Sequence, residues 1–60
     1  MKRYKVNKRT GTTKVWKYSG MADDSNEIIR DFERMNGRDG VTGLKITDTA
    51  TGKIIYNKEI

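Results

Sequence analysis

Residues 24–37 read DSNEIIRDFERMNG, and this stretch decides the fold. Its apolar residues recur at the i, i+1, i+4 and i+7 positions of one helical stripe, and charged residues fill the opposite side. The members of the stripe are Ile28, Ile29, Phe32 and Met35. Asp24 or Ser25 supplies the N-cap, and Gly37 supplies the C-terminal stop. The pattern predicts an amphipathic helix over residues 25–36 that buries one side against a partner.

The segments on either side of the predicted helix have the composition of strands. Residues 3–9 and 14–18 contain Val, Tyr and Trp among polar residues, and a Thr-Gly pair marks the turn between them. Residues 43–48 and 53–58 form a second pair of strands. Because one helix separates two hairpins, the simplest architecture lays that helix on one face of a four-stranded sheet. The predicted fold is a ββαββ domain of the α+β class that spans residues 1–60.

Strands 1 and 4 are predicted to lie parallel in the centre of a mixed sheet, with strand order 2-1-4-3 and a right-handed crossover. This layout, with the linker NGRDG at residues 36–40, resembles the β-grasp immunoglobulin-binding domains of streptococcal surface proteins. The resemblance implies a β-grasp fold. An aromatic residue of the third strand and basic residues of the helix bind antibody in that family. Thr42 and Arg30 stand nearest to those positions, so antibody binding is not carried over. The alternative architecture has two hairpins that complete a sheet across a homodimer.

The register of the first hairpin is open, and a shift by one residue turns every side chain to the other face. An odd loop pairs Val6 with Trp16 and Tyr4 with Tyr18, which buries both large aromatic residues. An even loop pairs Val6 with Val15 and turns Trp16 to solvent. We favour the odd loop, because it removes more apolar surface from water.

The second hairpin supplies much of the predicted core. Pairing Ile46 with Ile54 requires an odd loop, in which Gly52 supplies a bulge. Ile55 then points outward and forms, with Val15, an apolar patch that could seed a homodimer. The sheet residues expected to contact the helix stripe are Tyr4, Val6, Leu44, Ile46, Ile54 and Tyr56.

The chain contains no cysteine and no histidine. Disulfides, zinc clusters, cysteine nucleophiles and histidine bases are therefore excluded, and a reducing cytoplasm is the expected location. No apolar run reaches the length of a transmembrane helix. The acidic residues around Asp24 lack calcium-loop spacing and are explained by helix capping. We expect a cytoplasmic protein that is not an enzyme, has no cofactor and does not associate with a membrane.

Charge is unevenly distributed along the chain. The first 18 residues carry seven basic side chains and no acidic one, residues 19–40 are net −3, and residues 41–60 are net +1, which sums to +5. Lys and Arg in such a hairpin can contact phosphates while aromatic side chains stack on bases. The candidate binding residues are Arg3, Lys5, Lys8, Arg9, Lys14, Trp16 and Lys17. The competing interpretation is a solvated face whose lysines protect an edge strand from aggregation.

These patterns favour a small non-catalytic binding module that uses its basic N-terminal hairpin and open sheet face. The expected partner is a nucleic acid or an acidic protein surface. Two alternatives stay open: a structural subunit of a homo-oligomer, and a small inhibitor or adaptor protein from a mobile element.

Overall fold

The computed structural model describes residues 2–60 and confirms the α+β class. One helix, α1 (Ser25–Met35), packs against one sheet whose strands are β1 (Tyr4–Thr10), β2 (Lys17–Ala22), β3 (Val41–Asp48) and β4 (Lys53–Glu59). The order along the chain is ββαββ, as predicted. Within residues 2–60, no helix is both long enough and apolar enough to cross a membrane.

Side chains close in sequence set both ends of α1. The carboxylate of Asp24 accepts the backbone N–H of Asn26 at 2.9 Å, which identifies Asp24 as the N-cap. The helix ends at Asn36, whose φ of 49° is left-handed, one residue before the predicted stop at Gly37. Arg38 donates two hydrogen bonds, at 2.6 and 3.0 Å, to carbonyl groups of the last helical turn. Because these carbonyls have no partner inside the helix, Arg38 stabilises its C-terminus.

The strand order is 2-1-3-4 and every neighbouring pair is antiparallel. The predicted order 2-1-4-3, with its parallel centre and mixed sheet, is therefore wrong, and the β-grasp arrangement does not form. After α1 the chain re-enters the sheet beside the end of β1, where Gly11 N–H donates to the carbonyl of Gly40 at 3.0 Å and Thr42 Oγ1 donates to the carbonyl of Gly11 at 2.9 Å. This places Leu44 and Ile46 of β3, both fully buried, in the centre. The charged and exposed β4 takes the edge, where such residues discourage aggregation.

The core lies between α1 and the two central strands. Phe32 is the buried residue of the helix, and it clusters with Val6, Leu44 and Ile46. Around this cluster pack the partly buried residues Tyr4, Ala22, Ile28, Ile29, Val41 and Tyr56. Three members of the predicted helix stripe, Ile28, Ile29 and Phe32, and most of its predicted sheet partners are thereby confirmed, whereas Met35 is partly exposed and lies outside this cluster.

The register of the second hairpin removes Ile54 from the core. Ile46 pairs with Tyr56 and Thr47 pairs with Ile54, so Ile55 is an extra residue in a bulge of β4. The predicted pairing of Ile46 with Ile54 is wrong, and Ile54 is 55% exposed. The predicted patch of Ile55 with Val15 assumed that both residues occupy strand positions, whereas Val15 lies in the β1–β2 loop and Ile55 is the extra residue of the bulge.

The first hairpin adopts neither of its predicted registers. Val6 pairs with Gly20 rather than with Trp16 or Val15. The second strand begins at Lys17, so the residues expected to form most of it belong instead to the connecting loop. The second strand lies further along the chain than predicted, because Tyr4 at the start of β1 pairs with Ala22 rather than with Tyr18.

A bulge in β2 determines the direction of Tyr18. Val6 pairs with Gly20 and the next residue, Asn7, pairs with Tyr18, which leaves Ser19 as the extra residue. An uninterrupted ladder would place Tyr18 on the same face as Val6, toward the helix. Because the bulge shifts the register by one residue, Tyr18 lies opposite Asn7 and away from the helix.

The N-terminal segment is attached to the end of β3 through Asp48. Arg3 donates from Nε and Nη2 to the two carboxylate oxygens of Asp48 at 2.8 and 2.7 Å, and Ala50 N–H donates to Oδ1 at 3.0 Å. The hydrogen bonds from Arg3 lower the pKa of Asp48 from its ordinary value of 3.8, against the opposing effect of burial. Arg3 is thus engaged inside the fold.

The sheet face opposite α1 is called the open face below. Its residues form three rows of cross-strand neighbours, which are Arg9, Gly43 and Glu59; Tyr18, Asn7, Lys45 and Asn57; and Met21, Lys5, Thr47 and Ile54. The helix covers none of these positions, because its contacts are with the opposite side chains of the same strands.

Candidate binding site on the open sheet face

Trp16 lies over the open face although it belongs to no strand. It comes from the loop between β1 and β2 and is half-buried. A Cβ atom built on Gly43 would lie 3.1 Å from ring atom Cη2 of Trp16. The indole therefore packs on the bare backbone of β3, which is an approach that a glycine in a strand permits. Trp16 is neither a core residue nor fully exposed: the favoured odd register wrongly placed it in the core, whereas the even register turned it to the outer face, where it lies, but wrongly placed it in a strand.

Two cations flank the indole ring. Lys45 Nζ lies 4.6 Å from the ring centroid of Trp16, and Arg9 Cζ lies 5.4 Å from it. Both distances are within the range of about 6 Å at which the negative face of an aromatic ring attracts a cation. Arg9 and Lys45 come from adjacent strands and neighbouring rows, so the sheet itself sets the spacing of these groups.

Arg9 is held by contacts within the protein. Its Nε donates to the carbonyl oxygen of Thr13 at 3.0 Å, and its Nη1 forms an ion pair with Glu59. Only 15% of its side chain is exposed. Arg9 therefore anchors the β1–β2 loop, and with it Trp16, to the edge of the open face.

The solvent-facing groups of the open face include one aromatic ring and two lysines. Tyr18 is 62% exposed, Lys5 is exposed and Lys45 is partly exposed. The strand positions of the open face contain three cations and a single acid, Glu59, which is paired with Arg9. Two positive charges are left without an acidic neighbour on this face, so its potential favours anions.

Three of the seven residues predicted to bind a partner share the open face. These residues are Lys5, Arg9 and Trp16. The prediction grouped them because they are close in sequence. In the structure, the alternation of β1 brings Lys5 and Arg9 to this face, and the β1–β2 loop folds back to bring Trp16 to it. Whether they bind a partner stays a prediction.

The other four predicted residues lie elsewhere. Lys8 and Lys17 pair with each other, and Lys8 also pairs with the buried Leu44, so both belong to the helix side of the sheet. Lys14 is exposed in the loop. Arg3 forms its ion pair with Asp48. The basic hairpin is therefore divided between two faces.

Lys45, like Tyr18, belongs to this site but is absent from the seven predicted binding residues. It stands between Leu44 and Ile46, so strand alternation alone places it on the face opposite the core. The predicted strand order put the third strand at an edge, away from the first strand and its cations. Only the central position of β3 brings Lys45 next to Trp16.

The arrangement places positive charge and an aromatic ring side by side, which are groups suited to binding. Lys5 and Lys45 can contact phosphate or carboxylate groups, and Tyr18 can present its ring to a planar ligand. Among residues 2–60, no group of three or more acidic side chains is placed to hold a metal ion. Comparison with protein-family models, with curated proteins and with solved structures found no match to the chain.

Proposed function

We propose that the chain is a non-catalytic binding module that binds an anionic partner through its open face. The observation that carries this proposal is the grouping of Lys5 and Lys45 with the exposed Tyr18 on a face whose single acid is neutralised. Solvation alone accounts for lysines on a sheet, but it does not account for an exposed aromatic ring beside them. A binding face accounts for both.

The contact between Trp16 and Gly43 adds support. A glycine inside a strand costs about 0.5–1 kcal/mol relative to alanine, and it often marks a place where another group approaches closely. Here the group that approaches Gly43 is the indole of Trp16, on the side of the sheet away from the core. The pair does not serve helix packing, so we assign it to the shape and charge of the open face.

The proposal includes a cytoplasmic location and the absence of catalysis. Both are supported by a sequence without cysteine or histidine, since these residues carry most disulfide, nucleophilic and general-base chemistry. Within the described part of the chain, the one carboxylate at a strand position of the open face, Glu59, is paired with Arg9 rather than with Lys5, Lys45 or Tyr18, which favours recognition over reaction.

A titration of the intact protein with polyanions tests this function. At low salt, fluorescently labelled oligonucleotides and poly-glutamate are each titrated with wild-type protein and with Lys45→Gln. The matched control is Lys53→Gln, which removes the same charge from an exposed position opposite Asp48, outside the open face. We expect Lys45→Gln to weaken binding more than Lys53→Gln does. Equal loss in both variants, or no binding of any polyanion by wild type, would refute the proposal.

Self-association is a second candidate function, favoured by the exposed Ile54 and Ile55 on edge strand β4. An edge strand with apolar side chains can pair with the same strand of a second copy. Sedimentation of the protein at high concentration decides this point. A dimer that Ile55→Lys dissociates would support it, and a monomer would remove it.

A further inference from the structure

Resting on the proposed function, we infer that the anionic partner is a single-stranded nucleic acid, with a base stacked on Tyr18 and phosphates contacting Lys5 and Lys45. The two candidate anions differ in what they offer beside charge. An acidic protein surface presents carboxylates, whereas a single strand alternates phosphates with flat, unpaired bases. The open face has the second pattern, because an exposed ring stands among its cations.

The positions of these groups match that alternation. Tyr18 and Lys45 occupy the same row, separated by Asn7 of the intervening strand. Neighbouring strands lie about 4.8 Å apart, so the backbones that carry the ring and the ammonium group are roughly 10 Å apart across the sheet. Lys5 occupies the next row. A strand crossing the sheet can therefore place a base on the ring and phosphates on the two lysines.

Amide side chains on both sides of Lys45 add a means of contacting bases. Asn7 pairs with Lys45 on one side and Asn57 pairs with it on the other. An amide carries both donors and an acceptor, and so it can hydrogen-bond to the edge of an unpaired base. A carboxylate can accept from the N–H groups of an amide but cannot donate to its oxygen. Base edges have both donors and acceptors, so the two asparagines fit bases better than they fit the carboxylates of an acidic peptide.

The rest of the fold favours a single strand over a duplex. Reading a duplex in its major groove requires a helix or a β-ribbon that projects into the groove. The helix α1 lies on the other side of the sheet, and its exposed charges, Glu27, Asp31 and Glu33 against Arg30 and Arg34, sum to −1, which gives phosphates no attraction. The remaining surface, a sheet face with an accessible ring, requires bases that are already unstacked.

Trp16 has a separate part in this arrangement. Its ring is already in contact with Gly43 and is flanked by Arg9 and Lys45, so it is less available for stacking than Tyr18. We assign it to holding the Lys45 ammonium group above the sheet. Because it is the single tryptophan of the chain, its emission also reports directly on events at the site.

The test uses the full chain and fluorescence anisotropy at several salt concentrations. The probes are labelled oligo(dT) and oligo(rU) of about ten nucleotides, a duplex of the same length, and poly-glutamate. We expect the single strands to bind more tightly than the duplex and poly-glutamate. Two lysine–phosphate contacts predict a slope of log K against log salt of about −1.4, since each contact on a single strand contributes about −0.7.

Two pairs of variants separate stacking from charge. Tyr18→Ser is expected to weaken single-strand binding by about fivefold or more, whereas Tyr18→Phe retains the ring and the affinity. Lys45→Gln is expected to make the salt slope shallower by about 0.7, whereas Lys53→Gln leaves it unchanged. Circular dichroism verifies that each variant is folded, as expected for exposed or partly exposed positions.

The outcomes distinguish this inference from the function on which it rests. Wild-type affinity in Tyr18→Ser, or equal affinity for duplex and single strand, would overturn the inference. Tighter binding of poly-glutamate that depends on Lys45 would also overturn it while leaving the anion-binding function intact. Failure of every probe to bind at low salt would overturn both.

Discussion

At Gly43 a single added methyl group tests the architecture of the open face. The new Cβ would lie 3.2 Å from Cβ of Arg9, the residue paired with Gly43 on β1, and 3.1 Å from Cη2 of Trp16. Directly opposed Cβ atoms in antiparallel strands are ordinarily about 4.5–5.5 Å apart. Gly43→Ala therefore requires Arg9 on the neighbouring strand and the indole to yield by a few tenths of an ångström.

Two opposing effects set the size of the change. Overfilling a tightly packed position costs about 1–3 kcal/mol. Alanine also restricts the unfolded chain and returns about 0.4–1 kcal/mol, because Gly43 does not have a positive φ that alanine would resist. The difference between these ranges runs from about 0 to about 2.6 kcal/mol, and we expect a net loss of about 1 kcal/mol. A domain of this length has a total stability of roughly 3–9 kcal/mol, so the loss is readily measured.

The assay is urea unfolding followed by circular dichroism and by Trp16 emission. We expect a lower midpoint for Gly43→Ala and a red-shifted emission in its folded state, since the indole gains exposure to water. A double-mutant cycle with Trp16→Ala, followed by circular dichroism alone, separates the loss of stability that comes from the indole contact from the loss that comes from Arg9. The loss that persists without the indole comes from the contact with Arg9.

An unchanged stability of Gly43→Ala would contradict the close packing assigned to this part of the sheet. If Gly43→Ala were as stable as wild type and its emission were unchanged, then neither Arg9 nor Trp16 would close this part of the sheet. The position assigned to Lys45 beside the indole would then lose its support, and with it the additional argument that the Trp16–Gly43 contact gives for the binding face.

Three further predictions concern the core, the helix cap and the ion pair of Arg3 with Asp48. Leu44→Ala is expected to cost about 2–5 kcal/mol in urea unfolding, whereas Ile54→Ala stays within about 1 kcal/mol because its side chain is largely exposed; equal effects would contradict the register of β4. Asp24→Ala removes the N-cap hydrogen bond and is expected to cost about 1 kcal/mol, seen as a lower thermal midpoint. The lowered pKa of Asp48 means that its contribution to stability is present above pH 3.8 and is lost as the pH falls through the folded-state value. In Asp48→Asn that part of the acid-side slope is expected to be absent, and an unchanged slope would refute the assigned role of Arg3.

How much was predictable differs between the elements for physical reasons. The helix was predicted nearly to the residue, because its stripe, its cap at Asp24 and its end near Asn36 depend on groups within a few positions of each other. The composition of β1, β3 and β4 also sufficed to predict strands there. The second strand was misplaced because Val15 and Trp16 have high strand propensity, which is a weak preference that pairing with β1 overrode.

The sequence by itself determined the α+β class, the helix and most of the core, since each follows from periodicity and local capping. Only the tertiary structure decided the strand order, the bulge that turns Tyr18 outward and the meeting of Trp16 with Gly43 and Lys45. These features depend on which strands become neighbours, and several orders bury the same apolar residues about equally well. The candidate site follows from that choice, because its lysine and its indole are far apart in the chain and meet across the sheet.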